Sequence, residues 1–192
     1  MQRVCVYCAS SRRTDPAFRE AAGRLGRALA RSHVTLVYGG GAVGSMGALA
    51  DGALAEGGAV VGVLPRFMQE LEWGHVGLTE LKLVADMHER KRTMIEGADG
   101  VVALPGGCGT LEELLEAMAW KRLGLYSGPI VLVNLAGFFD PLLEMLRRCI
   151  AGGFMDERHA SMWSVVGQPE DVLDAIRAAP AWDPGARSFA VP

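Results

Sequence analysis

Apolar residues occur along this chain in short continuous runs, separated by segments with helical spacing. The runs are rich in Val, Ile and Leu, which is typical of strands buried on both faces of a parallel sheet. They lie at residues 4–7, 34–38, 59–64, 101–104 and 129–135, with shorter candidates at 80–84 and 163–166.

The segments between these runs carry amphipathic patterns. Asp15 and Pro16 begin the first, in which apolar residues recur at helical spacing: Phe18, Ala22, Leu25 and Leu29. Further helices are predicted at about 45–56, 87–96, 111–123, 140–150 and 169–178. Strands that alternate with helices predict an α/β fold, a doubly wound, Rossmann-like parallel sheet in a single domain. We assign residues 1–179 to this domain and expect residues 180–192, with three prolines, to form an extended C-terminal tail.

Composition and charge narrow the possible partners. The 192 residues carry a formal net charge of −3, which argues against nucleic acid, and no apolar run reaches the ~18 residues of a membrane span. Four cysteines without a recognisable signal peptide favour a cytoplasmic protein with free thiols. Cys5 and Cys8 have C-x-x-C spacing, but they lie in a predicted strand and no second pair exists, so we interpret them as inert buried thiols.

Glycine is in excess, with 25 residues, and many follow predicted strands. Gly39, Gly41 and Gly44 satisfy G-x-G-x-x-G, the dinucleotide-binding pattern. The pattern follows the second strand rather than the first, and the third strand ends in Pro65 and Arg66 where a ribose-binding acid is expected. These features disfavour NAD or FAD, and what survives is an anion site at a helix N-terminus.

A second glycine loop, residues 105–110, has the same strand–loop–helix context. It is not a P-loop and contains no Lys to face a triphosphate, so a monophosphate fits better. On spacing alone, Thr110 is a fair N-cap and Glu113 would complete a capping box, which is a structural explanation for Glu113.

Three consecutive cations, residues 90–92, lie on the predicted helix between the two glycine loops. Such a run is usually a solvated face, but loops after parallel strands gather at one sheet edge, where Arg90 or Lys91 would reach a bound anion. The four histidines are scattered and form no ligand cluster, so we expect no metal and no cofactor.

Three motifs together resemble the lonely-guy family of cytokinin-activating phosphoribohydrolases. They are residues 38–41 with Gly44, Met46 and Gly47, then residues 86–91, then Pro105-Gly-Gly-x-Gly-Thr-x-x-Glu113. The resemblance runs from Cys5 to about Ile176. It implies hydrolysis of the N-glycosidic bond of cytokinin riboside 5′-monophosphates, and possibly AMP, to a free base and ribose 5-phosphate.

The resemblance also implies roles for individual residues. Arg90 and Glu113 fall on the family's catalytic pair. The residues implied in substrate binding are Ser10, Gly40, Gly41, Gly44, Met46, Glu72, Lys91, Gly107, Cys108, Gly109 and Thr110. Cys108 stands where plant members have Tyr or Phe, and Ala119 where they often have Thr, which bears on base preference rather than on the reaction.

Two other functions are alternatives to hydrolysis. A non-catalytic nucleotide or molybdenum-cofactor carrier would bind without hydrolysis, and the presence of both Arg90 and Glu113 favours the enzyme. Such sequences are often labelled lysine decarboxylases, but this chain has only three Lys and no recognisable pyridoxal phosphate site.

The predicted helix 111–123 is apolar around nearly its whole circumference. Its apolar positions are Leu111, Leu114, Leu115, Ala117, Met118, Ala119, Trp120 and Leu123. A helix of this kind is buried on all sides. We therefore expect a homodimer in which a symmetric partner covers it, the alternative being cover by the C-terminal helix of the same chain.

Overall fold

The computed structural model describes residues 1–71 and 73–190. Seven strands form one sheet with every neighbouring pair parallel, in the order β4-β3-β2-β1-β5-β6-β7. The strands are β1 (Arg3–Tyr7), β2 (Thr35–Tyr38), β3 (Val60–Pro65), β4 (Glu80–Val84), β5 (Gly100–Ala103), β6 (Ile130–Val133) and β7 (Trp163–Val166).

The helices follow the strands in alternation. They are α1 (Pro16–Arg31), α2 (Gly44–Ala55), α3 (Arg66–Glu70), α4 (Met87–Ile95), α5 (Cys108–Arg122), α6 (Asp140–Ala151) and α7 (Val172–Ala178). Three of them differ from the predicted helices. The helix α3 lies in a stretch without a predicted element, and α5 begins three residues before the predicted start. The helix α7 begins three residues after its predicted start, because Pro169–Asp171 form a 3-10 helix. Within the described residues, no helix combines the length and apolarity that a bilayer crossing requires.

The core lies in two layers, one on each face of the sheet. On one face Val4 and Val6 of β1 pack with residues of α1, α2 and α7, and on the other Cys5 and Tyr7 pack with residues of α4, α5 and α6. Successive strand side chains point to opposite faces, so an uninterrupted apolar run serves both layers. The doubly wound, Rossmann-like α/β fold is confirmed. Cys5 and Cys8 are both buried, as predicted, and burial raises the pKa of each thiol.

Some of the glycine excess serves helix packing. A Cβ at Gly26 of α1 would overlap the carbonyl oxygen of Leu49 in α2, and a Cβ at Gly52 of α2 would overlap that of Gly23. These glycines allow α1 and α2 to pack backbone to backbone. Glycine content therefore overstates the number of positions that approach a ligand.

The C-terminal segment folds back on α5 instead of forming the extended tail that was expected. Residues Ala186–Phe189 form a 3-10 helix, and Ala186 and Phe189 are buried. Trp182 Nε1 donates to the carbonyl oxygen of Lys121 at 2.8 Å, and Arg187 Nε to that of Leu123 at 3.1 Å. Because carbonyls at a helix C-terminus lack intrahelical partners, these donors hold the segment in place.

Candidate active site

A cavity of about 790 Å³ opens at the carboxyl edge of the sheet, where ligands bind in open α/β folds. Its lining comes from the segments after β1, β2, β3 and β5 and from α4. The lining residues are Cys8, Ala9, Ser10, Ser11, Arg12, Gly39, Gly41, Ala42, Val43, Met46, Leu64, Met68, Trp73, Met87, Arg90, Gly107, Cys108, Gly109, Thr110 and Glu113.

A buried ion pair lies in this cavity. Arg90 Nη1 donates to Glu113 Oε1 at 2.9 Å, and the two side chains are only 7% and 4% exposed. The guanidinium also donates from Nε to the carbonyl oxygen of Val63 and from Nη2 to that of Gly39, both at 3.1 Å. A Cβ at Gly39 would overlap Nη2, so a side chain there would displace the guanidinium from this position. Arg90 is thus held in one orientation by two strand ends and one carboxylate.

Burial sets the electrostatics of Glu113. It raises the pKa of the carboxyl from its usual 4.5 to about 7, while the positive charge of Arg90 acts in the opposite direction. Burial also raises the pKa of the Tyr7 phenol and of the Cys5 thiol, so these neighbours stay neutral and add no further negative charge beside Glu113. A carboxyl pKa raised in this way is a perturbation common at functional sites.

The N-terminus of α5 forms one wall of the cavity. Gly107 is the N-cap and has no side chain to bond the first turn. Thr110 is the third helical residue and Glu113 lies in the second turn, so the Thr110–Glu113 capping box is wrong. The first N–H groups of a helix have no intrahelical partner, and the N-terminus carries a partial positive charge. This wall has the properties of a monophosphate site.

The first glycine loop mainly joins neighbouring segments together. Gly44 has φ +65°, and a Cβ there would lie 2.6 Å from the Ser10 carbonyl carbon. Met46 N donates to Ala9 O at 3.0 Å, and Ala42 N donates to Trp73 O at 3.1 Å. Because protein acceptors already take these donors, the loop offers fewer free N–H groups than the sequence pattern indicated.

The structure brings most of the implied substrate-binding residues to the cavity. Those that line it are Ser10, Gly41, Met46, Gly107, Cys108, Gly109 and Thr110. Gly40 and Gly44 lie in the loop behind the lining. Lys91 does not line it, because its Nζ bonds Glu112 and, at 3.1 Å, Glu116 on another side of α5. Glu72 lies outside the described residues.

The opposite wall of the cavity is apolar, and sequence reasoning missed it. Leu64, Met68 and Trp73 line this side, joined by Met46 and Met87. An isolated bridge between Gly41 and Gly74 ties the segment that carries Trp73 to the first glycine loop. Residues 66–74 show no regular period, and within this stretch the resemblance pointed only to Glu72. The cavity therefore has an anion-binding end beside β1 and β5 and an apolar end beside β2 and β3.

These features define a class: a doubly wound α/β protein with a nucleotide-sized cavity at the carboxyl edge of its sheet. A family model described as "Possible lysine decarboxylase" matches residues 46–176. A cytokinin riboside 5′-monophosphate phosphoribohydrolase from Rhodococcoides fascians is 43% identical over 176 residues, covering 91% of this chain and 89% of that protein. The corresponding enzyme LOG7 of Arabidopsis thaliana is 42% identical over 154 residues, covering 80% and 71%. The chain belongs to this family, and the resemblance stated above is confirmed.

Solved structures show the same fold. The structural genomics target TM1055 matches with a TM-score of 0.73 and 27% identity, covering 92% of this chain and 99% of that one. A molybdenum cofactor carrier protein from Chlamydomonas reinhardtii matches with a TM-score of 0.70 and 20% identity, covering 93% and 97%. At that identity the second likeness shows the fold alone.

Proposed function

We propose that this protein hydrolyses the N-glycosidic bond of cytokinin riboside 5′-monophosphates, and of AMP, to release the free base and ribose 5-phosphate. The observation that carries the proposal is the buried Arg90–Glu113 pair in a cavity with one anion-binding end and one apolar end. The names of the relatives at 42–43% identity support the same reaction.

The two ends of the cavity orient the nucleotide. The 5′-phosphate lies against the first turn of α5, with Ser10 nearby, and the base with its apolar N6 substituent lies against Leu64, Met68 and Trp73. This arrangement follows the order of the strands, since β1 and β5 are neighbours and β2 and β3 are neighbours. The ribose then spans the middle of the cavity, beside Glu113.

Glu113 acts on the bond that breaks. The C1′–N bond breaks with its electron pair leaving on the base, and the sugar passes through an oxocarbenium-like transition state. The ionised carboxylate stabilises this positive charge and takes a proton from the water that adds to C1′. That proton passes on to the departing base, which restores the carboxylate. General base catalysis of this kind contributes ~10²–10⁴-fold to the rate.

Arg90 supports Glu113. Its charge favours the ionised carboxylate, and its bonds to two backbone carbonyls fix the direction from which it meets Oε1. Lys91, which the resemblance placed with the substrate, instead holds the outer side of α5 through Glu112 and Glu116.

We further propose that the protein is a cytoplasmic homodimer. Leu115 of α5 and Leu123 at its C-cap are 43% and 45% exposed, although the C-terminal segment covers another part of this helix. A groove of about 950 Å³ has both apolar lining residues, among them Trp120 and Leu125, and charged ones, among them Glu89 and Arg92. A symmetric partner would bury the exposed leucines. Sedimentation of the wild type against Leu115→Glu tests this, with a dimer expected for the wild type and a monomer for the variant.

The decisive experiment is a product assay. Purified protein is incubated with AMP, with N6-isopentenyladenosine 5′-monophosphate and with the matching nucleosides, and free base and ribose 5-phosphate are quantified. We expect both products from the nucleotides and little from the nucleosides. Binding of intact nucleotide without product, at high protein concentration and long incubation, would instead indicate a carrier.

A further inference from the structure

The charged side chains that line the cavity differ in whether they have a partner of opposite charge. Among the described lining residues, Arg12, Arg90 and Glu113 carry charged side chains. Arg90 and Glu113 neutralise each other at 2.9 Å. The Arg12 side chain, by contrast, has no hydrogen bond or ion pair within the described part of the chain. A phosphate monoester brings a charge of about −1.5 to −2 at neutral pH, for which the Arg90–Glu113 pair provides no net compensation.

The backbone that carries Arg12 is firmly held. Arg19 Nη1 donates to the carbonyl oxygen of Arg12 at 2.9 Å and to that of Thr14 at 2.6 Å. Gly44 packs closely against the backbone of Ser10 and Ser11. The loop is thus fixed while the Arg12 side chain keeps its freedom, so ligand binding would order only this side chain.

The sheet brings Arg12 to the anion-binding end of the cavity. β1 and β5 are adjacent and parallel, with Tyr7 opposite Ala103, and Leu104 N donates to Tyr7 O at 2.9 Å. The segments that follow these strands therefore leave the sheet side by side, and residues 8–12 and 107–110 of them line the same cavity. A guanidinium and the positive end of a helix dipole then share one space, an arrangement that an anion stabilises.

We propose that Arg12 binds the 5′-phosphate together with the first turn of α5, and that this residue sets the preference for nucleotide over nucleoside. The inference rests on the proposed function and extends it to a residue outside the implied substrate-binding set. The planar guanidinium presents paired N–H donors that match two phosphate oxygens. Its contribution is to substrate affinity, because the phosphate keeps its charge as the C1′–N bond breaks.

The test compares Arg12→Ala with Arg13→Ala, a neighbouring exposed arginine that does not line the cavity. Steady-state rates are measured with AMP and adenosine, and ribose 5-phosphate binding is measured by calorimetry. In Arg12→Ala we expect KM for AMP and Kd for ribose 5-phosphate to rise about 10- to 100-fold, as loss of a charged hydrogen-bonded contact predicts. In the same variant we expect kcat to change less than about 3-fold and the preference for AMP over adenosine to fall. Arg12→Lys should recover part of the affinity, and Arg13→Ala should resemble the wild type.

Failure of this inference and failure of the proposed function give different results. If the wild type releases base from AMP and Arg12→Ala has wild-type KM and Kd, or if Arg13→Ala weakens binding equally, the role of Arg12 is overturned alone. If ribose 5-phosphate binds in an Arg12-dependent way but no base is released, the hydrolase proposal fails and Arg12 stands as a phosphate ligand. If the wild type neither binds ribose 5-phosphate nor acts on AMP, both are overturned.

Discussion

Arg90 and Lys91 are adjacent on α4 and both pair with carboxylates of α5, yet the two pairs lie in different surroundings. Arg90 meets Glu113 inside the cavity, where both side chains are nearly inaccessible. The Lys91 side chain is equally buried, but its partners on the outer side are more open to solvent: Glu112 is 54% and Glu116 28% exposed. An ion pair near solvent is screened and adds little, whereas a buried pair shifts the protonation of its members.

Helix geometry explains how neighbouring residues reach such different places. Successive positions on a helix are about 100° apart, so Arg90 and Lys91 leave α4 in different directions. On α5, Glu112 and Glu116 are four residues apart and share a face, while Glu113 lies on another. Adjacent residues of like charge can therefore have different roles: one lines the cavity, and the next forms ion pairs outside it.

The largest expected effect is from Glu113→Gln, which keeps the shape of the side chain and removes its negative charge. We expect kcat for AMP to fall at least ~10²-fold, with AMP affinity changed only a few-fold, because a neutral amide cannot stabilise the cation or accept a proton. Glu112→Gln, one residue away and outside the cavity, is the matched control and should retain turnover within a few-fold. Equal loss in both variants, with normal thermal denaturation, would remove the distinction between the two pairs.

The next prediction concerns pH. Because burial raises the pKa of Glu113 to about 7, the ionised carboxylate is lost as the pH falls below that value. We expect kcat/KM of the wild type to decline on the acid side with an apparent pKa near 7, approaching about tenfold per pH unit well below it, because kcat/KM follows the ionisation of the free enzyme. The measurement is kcat/KM for AMP from pH 5 to 9. A decline that begins only near 4.5 would mean that Glu113 is not the controlling group.

The smallest expected effect is from Lys91→Met, which alters the outer cluster without entering the cavity. The charge of Lys91 lowers the pKa of Glu113, whereas the charges of Glu112 and Glu116 raise it. We expect the acid limb of kcat/KM to move to higher pH in Lys91→Met, with a loss of about two- to tenfold at pH 7. Glu112→Gln should move the limb the other way, and Lys91→Arg should restore the wild-type profile.

The opposite shifts of the acid limb expected for Lys91→Met and Glu112→Gln distinguish an effect of charge on Glu113 from an effect on the position of α5. If Lys91→Met and Glu112→Gln shift the acid limb in the same direction, the outer cluster acts on the cavity through the position of α5 rather than through charge. If Lys91→Met also raises KM for AMP more than it lowers kcat, the substrate contact that the resemblance implied for Lys91 regains support.

Much of the fold followed from local patterns. Continuous apolar runs predicted β1, β2, β3 and β5, and Asp15 with Pro16 marked the start of α1, where the Asp15 side chain accepts from Ala17 N. Local patterns failed where a distant contact decides the conformation. The C-terminal segment folds because Trp182 and Arg187 donate to the carbonyls of Lys121 and Leu123 at the end of α5, which are far away in sequence.

The site was predicted only in part, because its residues also come together through contacts between segments distant in sequence. The resemblance placed Glu113 and Arg90 together, but spacing alone also allowed Glu113 to cap its own helix. Thr110 and Glu113 cannot form that box, because α5 already begins at Cys108. Arg12 and the apolar wall at Leu64, Met68 and Trp73 carried no periodic pattern, and only their position around the cavity gives them a role.

By itself, the sequence determined the parallel α/β architecture, the two glycine loops after strands and the family, because each depends on residues close together in the chain or on motifs as a whole. The tertiary structure decided which of Arg90, Lys91, Glu112 and Glu113 enter the cavity, and that many glycine-loop N–H groups are already occupied. The physical reason is that burial and pairing depend on how strands and helices distant in sequence converge at one sheet edge, and these in turn set the charge state of Glu113.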